Sequence, residues 1–294
     1  MPQTYNDVFL TVRKALKTAE IEGFNLEARL LVSAVAGKTK EEFLRDMGLY
    51  VNAGFEAKVD ALLKRRLDGE PLAYIIGSWE FYGIPVHVNH EVLIPRIDTE
   101  VLVAQAIAHA KRLPAGSRVL DLCCGSGCVG LAIAKNLPQV KVILADISPE
   151  ALKISRMNTA LNKLTGRVAC VPVDAKRAAP YSLLGEFDII VCNPPYIKTG
   201  DIPGLDEVVR EHEPILALDG GEDGLDFYRY IIPEWQKVLK PGGVMLFECG
   251  HEQALDVADL FITNGVEKVT HIRDSMGINR VVVGQTDKQG QSQA

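Results

Sequence analysis

Four consecutive residues, Asn193-Pro194-Pro195-Tyr196, follow an apolar run and combine groups that suit a planar NH₂ group. The Asn193 side-chain oxygen and the Pro194 carbonyl are neighbouring acceptors, one for each N–H. Proline fixes φ and lacks an N–H, so the Pro194 carbonyl is held rigidly without a competing donor. Tyr196 offers a flat ring for a planar partner. Two acceptors could aim a poorly nucleophilic nitrogen and stabilise charge growing on it. Taken alone, the motif also suits a plain turn that ends a strand.

A glycine-rich loop at 121–130 is the second candidate site. Gly125 and Gly127 lack a Cβ, so the backbone there can approach a ligand closely. With Gly130 they match the dinucleotide fingerprint, and Asp146, about 20 residues on, could hold ribose hydroxyls. A nicotinamide-dependent oxidoreductase is therefore one alternative. Asp121, just before the loop, would repel a pyrophosphate but suits an ammonium group. S-adenosylmethionine carries an ammonium, a sulfonium and ribose hydroxyls without phosphate, and fits the two acids better.

Composition narrows the function classes. Cys123, Cys124 and Cys128 cluster, but a fourth zinc ligand with suitable spacing is missing, so we expect reduced thiols and no metal. The net charge of −6 gives no drive toward nucleic-acid phosphate. No apolar run approaches the roughly 20 residues that span a bilayer, and the N-terminus lacks a signal-peptide layout. We expect a cytoplasmic protein with no membrane partner and no direct nucleic-acid partner.

Hydrophobic periodicity divides the 294-residue chain into segments. Residues 1–70 carry apolar residues at helical spacing and predict a small helical domain. Residues 71–95, rich in aromatic and β-branched residues, predict a β-hairpin linker. Residues 96–285 alternate strands and helices, which predicts an α/β fold with a doubly wound, largely parallel sheet of seven strands. The last strand should be antiparallel because its link is too short for a crossover helix. Residues 286–294 predict a flexible tail.

The glycine loop, Asp121-Leu122-Cys123-Cys124-Gly125-Ser126-Gly127, resembles the first motif of class I methyltransferases. Cys123 replaces the usual first glycine, so we expect a non-glycine backbone conformation there. This resemblance implies a Rossmann-like methyltransferase sheet, with S-adenosylmethionine as cofactor and S-adenosylhomocysteine as product. Asp174 matches the position near the adenine. The predicted cofactor-binding residues are Asp121, Cys123, Cys124, Gly125, Ser126, Gly127, Asp146, Asp174, Ala175 and Asn193.

Asn-Pro-Pro-Tyr after the fourth strand resembles the signature of methyltransferases that act on planar nitrogen, either base amines or side-chain amides. Adenine in DNA would require a basic groove and a target-recognition domain. The chain is acidic, and its extra domain is some 70 residues of helices. This favours an amide.

Over about residues 5–285 the chain is similar to the release-factor glutamine N5-methyltransferase family. The matching segments are 25–37, 70–83, 93–100, 121–127, 193–197, 213–229 and 273–284. A sister family that modifies a glutamine of a ribosomal protein remains an alternative. The resemblance implies that the substrate is the glutamine in the Gly-Gly-Gln loop of class I peptide chain release factors, and that the helical domain contacts the factor outside that loop.

On that resemblance, Asn193, Pro194 and Tyr196 would be catalytic. The predicted substrate-binding residues are Asn193, Pro194, Pro195, Tyr196, Arg96 and Phe81. Arg96 and Phe81 have equally plausible structural roles, an ion pair with a carboxylate and a core aromatic. The loop at 199–224 is long enough to act as a partial lid.

Overall fold

The computed structural model describes residues 2–266 and 268–287. They form two compact units. One comprises the residues up to Ser78 together with Glu207–His212, and the other comprises Trp79–Asp206 together with the described residues from Glu213 onward. The helices are α1 Tyr5–Thr18, α2 Phe24–Ala36, α3 Lys40–Asp46, α4 Phe55–Leu67, α5 Leu72–Ile76, α6 Glu100–Ala110, α7 Cys128–Asn136, α8 Pro149–Leu161, α9 Tyr181–Leu184, α10 Glu207–His212, α11 Asp226–Trp235 and α12 Ala254–Thr263. None of these described helices is long and apolar enough to cross a membrane.

The strands are β1 Ser78–Phe81, β2 Ile84–His87, β3 Arg118–Leu122, β4 Lys141–Asp146, β5 Val168–Pro172, β6 Phe187–Cys192, β7 Leu239–Glu248, β8 Lys268–Arg273 and β9 Asn279–Gln285. Short 3-10 helices occur at Ile97–Thr99, Thr199–Gly204, Ile215–Ala217 and Gln236–Val238.

The first unit is a helical bundle, as its periodicity predicts. Thr4 caps α1, because its side chain accepts from the Asp7 N–H while the Asp7 carboxylate accepts from the Thr4 N–H. Thr39 and Glu42 do the same for α3. The apolar faces of these helices meet in a core in which Leu16, Leu31, Phe43 and Val59 are fully buried.

Residues 72–76 differ from the prediction of strand. Four consecutive residues, Leu72, Ala73, Tyr74 and Ile75, are buried, so this segment has no period that separates helix from strand. Pro71 begins the short helix α5, and Gly77 ends it in the left-handed conformation. The hairpin is therefore shorter than predicted. Tyr82 and Gly83 connect β1 to β2, and both have a positive φ. This is the backbone conformation of a two-residue hairpin turn, whose twist fits that of the two strands.

The second unit is built on a seven-stranded sheet in the order β5-β4-β3-β6-β7-β9-β8. The pairs among β3, β4, β5, β6 and β7 are parallel, and β9 is antiparallel to both β7 and β8. The prediction of a doubly wound sheet with an antiparallel last strand is confirmed. The predicted tail falls mostly outside the described residues, at 288–294.

Large side chains of α11 pack on the sheet and connect to the strand ends. Tyr228 and Trp235 are fully buried. The Tyr228 hydroxyl donates to the Glu248 backbone carbonyl (2.9 Å), and the Trp235 indole N–H donates to the Ala175 carbonyl (3.0 Å). Both polar groups are satisfied inside the core, so α11 fixes the positions of the segments that follow β5 and β7.

Candidate active site

Three predicted parts of the site, namely the glycine loop, Asp146 and Asn193, lie at the carboxyl edge of neighbouring strands. The chain runs from β3 outward to β4 and β5, then returns to place β6 on the other side of β3. Leu122, the last residue of β3, is paired with Cys192, the last residue of β6. The glycine loop and Asn193 therefore leave the sheet side by side at its switch point, with Asp146 ending the next strand, β4. In open parallel sheets this is the place where ligands bind.

A cavity of about 740 Å³ opens at this switch point. Its volume lies within the roughly 300–1,000 Å³ of small-molecule sites. The predicted site residues that line it are Arg96, Asp121, Cys123, Cys124, Gly125, Ser126, Asp146, Asp174, Ala175, Asn193 and Pro195. Among the described residues, four predicted site residues lie outside this lining: Gly127, Pro194, Tyr196 and Phe81.

The two acids shape the glycine loop from both sides. The Asp121 carboxylate accepts the Gly130 N–H (2.8 Å), and the Asp146 carboxylate accepts the N–H groups of Gly125 (2.8 Å) and Ser148 (3.0 Å). Burial raises the pKa of Asp121 to about 7, against the Gly130 hydrogen bond and with a contribution from the charge of Asp146. Burial also raises the pKa of Asp146, against three backbone hydrogen bonds. Two buried carboxyl groups at the wall of one cavity favour a cationic ligand, because a positive charge nearby lowers their pKa and restores their charged forms.

Gly127 and Gly130 allow the loop and α7 to lie directly on the sheet. A Cβ at Gly127 would lie 2.8 Å from Leu144 Cδ1, and one at Gly130 would lie 2.4 Å from Leu144 Cδ2. Gly125 is different, because nothing lies within 4 Å of its Cβ position. Its missing side chain leaves open space beside the cavity, as close approach of a ligand requires.

The expectation for Cys123 is wrong. Its φ is +59°, in the left-handed region that favours glycine. The cysteine thus keeps the backbone turn that the usual glycine provides, at a cost of about 1–2 kcal/mol. The hydrogen bond from the Cys124 N–H to the Ala145 carbonyl (3.0 Å), directly after the strained residue, continues the contact between the β3 and β4 chain ends.

Asn193 is half-buried beside two groups that the sequence analysis did not select, Thr99 and Glu248. Its side-chain N–H donates to the Thr99 hydroxyl (3.3 Å). Glu248 ends β7 and is 1% exposed. The Tyr196 hydroxyl lies 3.5 Å from Glu248 Oε1, and burial raises the pKa of Tyr196 well above its ordinary value. The Asn-Pro-Pro-Tyr motif therefore meets a buried carboxyl group that faces its first and last residues.

Arg96 and Phe81 occupy different environments. The Arg96 guanidinium lines the cavity and is paired with the buried carboxylate of Glu213, which also accepts the Ile94 N–H (3.2 Å). Arg96 thus forms the predicted ion pair and lies at the cavity wall, and its role in substrate binding stays a prediction. Phe81 is 2% exposed and packs near Tyr82, with ring centroids 6.5 Å apart, so it is a core aromatic in this structure.

The segment after β5 forms another part of the wall. Asp174 accepts from the N–H of Lys176 (2.9 Å) and from the Arg177 guanidinium (3.1 Å). The Lys176 ammonium lies 4.4 Å from the centroid of the Phe227 ring, and both residues line the cavity. Ile147, half exposed, contributes an apolar surface at the same end.

Residues 214–217, within the loop predicted as a partial lid, also line the cavity, and they include the exposed side chains of Ile215 and Leu216. The chain then packs on the backbone of the Asn-Pro-Pro-Tyr motif. A Cβ at Gly220 would lie 2.7 Å from Tyr196 Cα, and one at Gly224 would lie 2.4 Å from the Tyr196 carbonyl oxygen. Only glycine fits at these two positions. Closure of this segment as a lid stays a prediction.

Two of the three cysteines at the loop, Cys124 and Cys128, are buried, and Cys123 is partly exposed. Burial raises the pKa of Cys128 to about 12 and that of Cys124 well above its ordinary value. Both therefore remain protonated at neutral pH. Within residues 2–266 and 268–287, no group of three or more His, Cys, Asp and Glu side chains is placed to hold a metal ion.

Comparison with known proteins extends the likeness to nearly the whole chain. The methyltransferase small domain family matches residues 97–221, and the PrmC N-terminal domain family matches residues 7–77. A release factor glutamine methyltransferase from Geobacter sulfurreducens is 39% identical over 93% of this chain and 96% of its own length. One from Caulobacter vibrioides is 38% identical over 97% of both chains. The chain belongs to the release factor glutamine methyltransferase family.

Membership of the release factor glutamine methyltransferase family accounts for the two parts of the chain, since each family model matches one of them. The members of this family are methyltransferases, which use S-adenosylmethionine as the methyl donor. Among solved structures, a methyltransferase from Pyrococcus furiosus matches 70% of this chain and 91% of its own, with a TM-score of 0.51 and 18% identity. That likeness shows the fold alone.

Sequence reasoning missed Glu248 and Thr99, although one signal could have found the first. Glu248 ends a predicted strand, as Asp146 does, and the carboxyl ends of parallel strands share one edge of the sheet. Thr99 gave no such signal, because it lies in a single turn of 3-10 helix before α6.

Proposed function

We propose that this chain transfers a methyl group from S-adenosylmethionine to the side-chain amide nitrogen of a glutamine in a peptide chain release factor. One observation carries the proposal. Asn193 and the acid-flanked glycine loop leave paired strands, β6 and β3, and line one cavity. The family membership supports the substrate class, because the curated relatives are named for release factors.

The residues around the cavity fit S-adenosylmethionine. Asp121 and Asp146 supply two carboxyl groups to the cavity wall, and nothing lies within 4 Å of the Cβ position of Gly125, which lines the same cavity. Asp146 would accept ribose hydroxyls, and Asp121 would face the methionine ammonium. Ile147 and Ala175 offer apolar contact for the adenine ring, with Asp174 beside them. Cys123, Cys124, Ser126 and Gly127 would shape the loop around the methionine moiety.

When bound, S-adenosylmethionine supplies an electrophilic methyl group on a sulfonium. Asn193 Oδ1 and the Pro194 carbonyl would each accept one N–H of the glutamine amide and aim its nitrogen at that methyl. The same two acceptors would stabilise the positive charge that develops on the nitrogen. Tyr196 would flank the amide plane, with Pro195 behind it and Arg96 at the cavity wall. The amide loses one proton to solvent after transfer, so no residue has to act as a general base first.

The remaining parts follow from the same proposal. The helical domain at 1–70 would recognise the release factor outside its Gly-Gly-Gln loop, residues 71–95 would link it to the methyltransferase domain at 96–285, and residues 286–294 would be a flexible tail. Such an enzyme would act in the cytoplasm, would need no metal and would leave S-adenosylhomocysteine as its product.

The test is transfer of labelled methyl groups from S-adenosylmethionine. We expect label in a class I release factor and none in a matched factor whose Gly-Gly-Gln glutamine is changed to alanine. Ribosomal proteins and DNA are the parallel substrates, because a sister activity on a ribosomal glutamine or an activity on base amines would label those instead. Equal labelling of the alanine variant would show that another residue is modified.

A further inference from the structure

Glu248 is a buried acid to which the proposed mechanism gives no task. It ends β7 with 1% exposure, and its Oε2 atom is buried without a hydrogen-bond partner among the described residues. A buried carboxyl group with unmet hydrogen-bonding capacity is costly to fold. Because Glu248 lies beside Asn193 and Tyr196, we infer that this unfavourable burial is retained for a role in the site.

A chain of polar groups joins this acid to the amide of Asn193. Asn193 follows Cys192 and Glu248 follows Phe247, and Cys192 and Phe247 are paired across β6 and β7. Asn193 Nδ2 donates to the Thr99 hydroxyl (3.3 Å). Hydrogen bonding to the side chains of Thr99 and Asn193 opposes the effect of burial on the pKa of Glu248. A hydroxyl has a single proton to donate, whereas an ionised carboxylate can only accept. While Glu248 is ionised, the Thr99 proton therefore points to the carboxylate. The Thr99 oxygen is then left to accept from Asn193.

This direction of donation determines which end of the Asn193 amide faces the cavity. With Nδ2 held by Thr99, Oδ1 is the atom left for an incoming NH₂ group. We propose that Glu248 is a positioning residue whose ionised carboxylate, acting on Asn193 both directly and through the Thr99 hydroxyl, holds Asn193 Oδ1 toward the substrate nitrogen. The identity of that nitrogen rests on the proposed function, but the orientation of the amide does not.

Protonation of Glu248 removes the constraint. The carboxylic acid then has a proton to donate to Thr99, which frees the Thr99 proton to donate to Asn193 Oδ1. The amide can rotate and present its NH₂ group to the substrate NH₂ group, and two donors cannot bind each other. The ionised form of Glu248 is therefore the active one.

The surroundings place this ionisation near neutral pH. Burial raises the pKa of Glu248 to about 7, while the Thr99 hydrogen bond and the Arg280 charge oppose the rise. Arg280 is shared, because it also pairs with Asp98 (3.2 Å) and Asp274 (3.4 Å). The titratable and charged groups that face Glu248 from the elements packed around it are Asp98, Cys128, Tyr196, Tyr228, Cys249 and Arg280.

The first experiment needs no methyl acceptor. In the full chain, ¹³C-labelled glutamate carboxyls and ¹⁵N-labelled asparagine side chains are followed by NMR from pH 5 to 9. Resonances are assigned with Glu248→Gln and Asn193→Ala. We expect the Asn193 side-chain N–H signals to move with the same midpoint as the Glu248 carboxyl carbon. In Thr99→Val, Glu248 should still titrate, while the response of the Asn193 signals should become smaller because only the direct contact remains. Asn193 signals that stay constant through the Glu248 titration in the wild type would overturn the inference.

The second experiment measures kcat for methyl transfer to release factor over the same pH range. Wild type should show a rise in kcat across the Glu248 midpoint. Glu248→Gln should lose that step because it cannot ionise. Glu248→Leu has no acceptor for the Thr99 proton and should lower kcat by roughly tenfold to a hundredfold, the scale of misplacing a reacting group by about 1 Å. Affinity for S-adenosylmethionine should change far less. Thr99→Ser keeps the hydroxyl and should keep both the rate and the pH step.

The matched control is Asp188→Asn, a carboxyl at the opposite end of β6 that accepts from the Arg118 N–H (2.8 Å) and the Lys240 ammonium (2.7 Å). It should retain the wild-type pH profile. The wild-type pH step in Glu248→Gln, or a wild-type kcat in Glu248→Leu, would refute the positioning role. If wild type labels no release factor, the proposed function is wrong, and the NMR titration still decides the inference.

Discussion

Replacing Gly130 by alanine tests whether α7 lies as close to the sheet as the structure shows. The added Cβ would lie 2.4 Å from Leu144 Cδ2, 2.9 Å from Val142 Cγ1 and 3.0 Å from Asp121 Cβ. Leu144 and Val142 are at most 1% exposed, so neither side chain can turn toward solvent. An ordinary carbon contact is about 3.5–4.0 Å, so α7 or the strand must give way by about 1 Å.

Two effects of the substitution oppose each other. Alanine in the interior of a helix is favoured over glycine by about 0.5–1 kcal/mol. Overpacking of a well-packed core costs about 1–3 kcal/mol. The second effect should win, and Gly130→Ala should lower the free energy of unfolding by up to about 2 kcal/mol. Because the Gly130 N–H donates to Asp121 (2.8 Å), the shift should also weaken binding of S-adenosylmethionine.

Urea unfolding followed by tryptophan fluorescence is the suitable assay, since Trp79 and Trp235, the two tryptophans of the sequence, both lie in the unit that contains the sheet. Calorimetry gives the cofactor affinity of the same samples. Gly166→Ala is the control, because nothing lies within 4 Å of its Cβ position. It should stay within about 1 kcal/mol of wild type. A Gly130→Ala protein that is more stable than wild type, with unchanged affinity, would refute the close packing.

Three further predictions test other parts of the site. Asn193→Ala should lower kcat by a factor of about 10²–10³, whereas Asp146→Ala should mainly weaken S-adenosylmethionine binding. Single-turnover rates and calorimetry measure the two effects. If both variants lost only cofactor binding, this difference between the two residues would be wrong. Cys123→Val should destabilise the fold by about 1–3 kcal/mol in urea, because a β-branched residue is strained at a φ of +59°, while Cys123→Gly should stay within about 1 kcal/mol. Burial raises the pKa of Glu248 from 4.5 to about 7. Between these two pH values the native state keeps a proton that the unfolded state has lost. The free energy of unfolding therefore falls as the pH rises from about 4.5 to about 7. The free energy of unfolding of Glu248→Gln should therefore exceed that of wild type by about 1–3 kcal/mol at pH 8 and by little at pH 4. An equal difference at both pH values would contradict the burial of the Glu248 carboxyl group.

The positions of Asp146 and Asn193 could be predicted from sequence because each ends an apolar strand, and parallel strands bring their carboxyl ends together. The conformation of Cys123 could not. A local preference of about 1–2 kcal/mol favours a non-glycine φ there. Hydrogen bonds from the flanking loop to Asp121 and Asp146 hold the turn instead.

Contacts between residues that are distant in the sequence could not be predicted from local sequence patterns either. Gly220 and Gly224 look like ordinary loop glycines, yet they lie against the backbone of Tyr196, more than 20 residues away in the sequence. Phe81 has the residue type of a substrate contact, and its burial beside Tyr82 depends on a hairpin whose packing no local period reveals. Residues 72–76 are too short a segment, and too uniformly buried, for periodicity to separate helix from strand.

The strand order also bears on how the chain folds as it is synthesised. β3 pairs with β4 soon after both emerge, because they are neighbours in sequence and in the sheet. Its other edge belongs to β6, whose paired residues lie 70 positions later (Leu122 with Cys192, 192 − 122 = 70). Until β6 arrives, β3 has an open, apolar edge that invites wrong partners. Insertion of β6 closes that edge and delivers Asn193 to the glycine loop in one event, so a chain with a misplaced β6 would be open to aggregation as well as inactive.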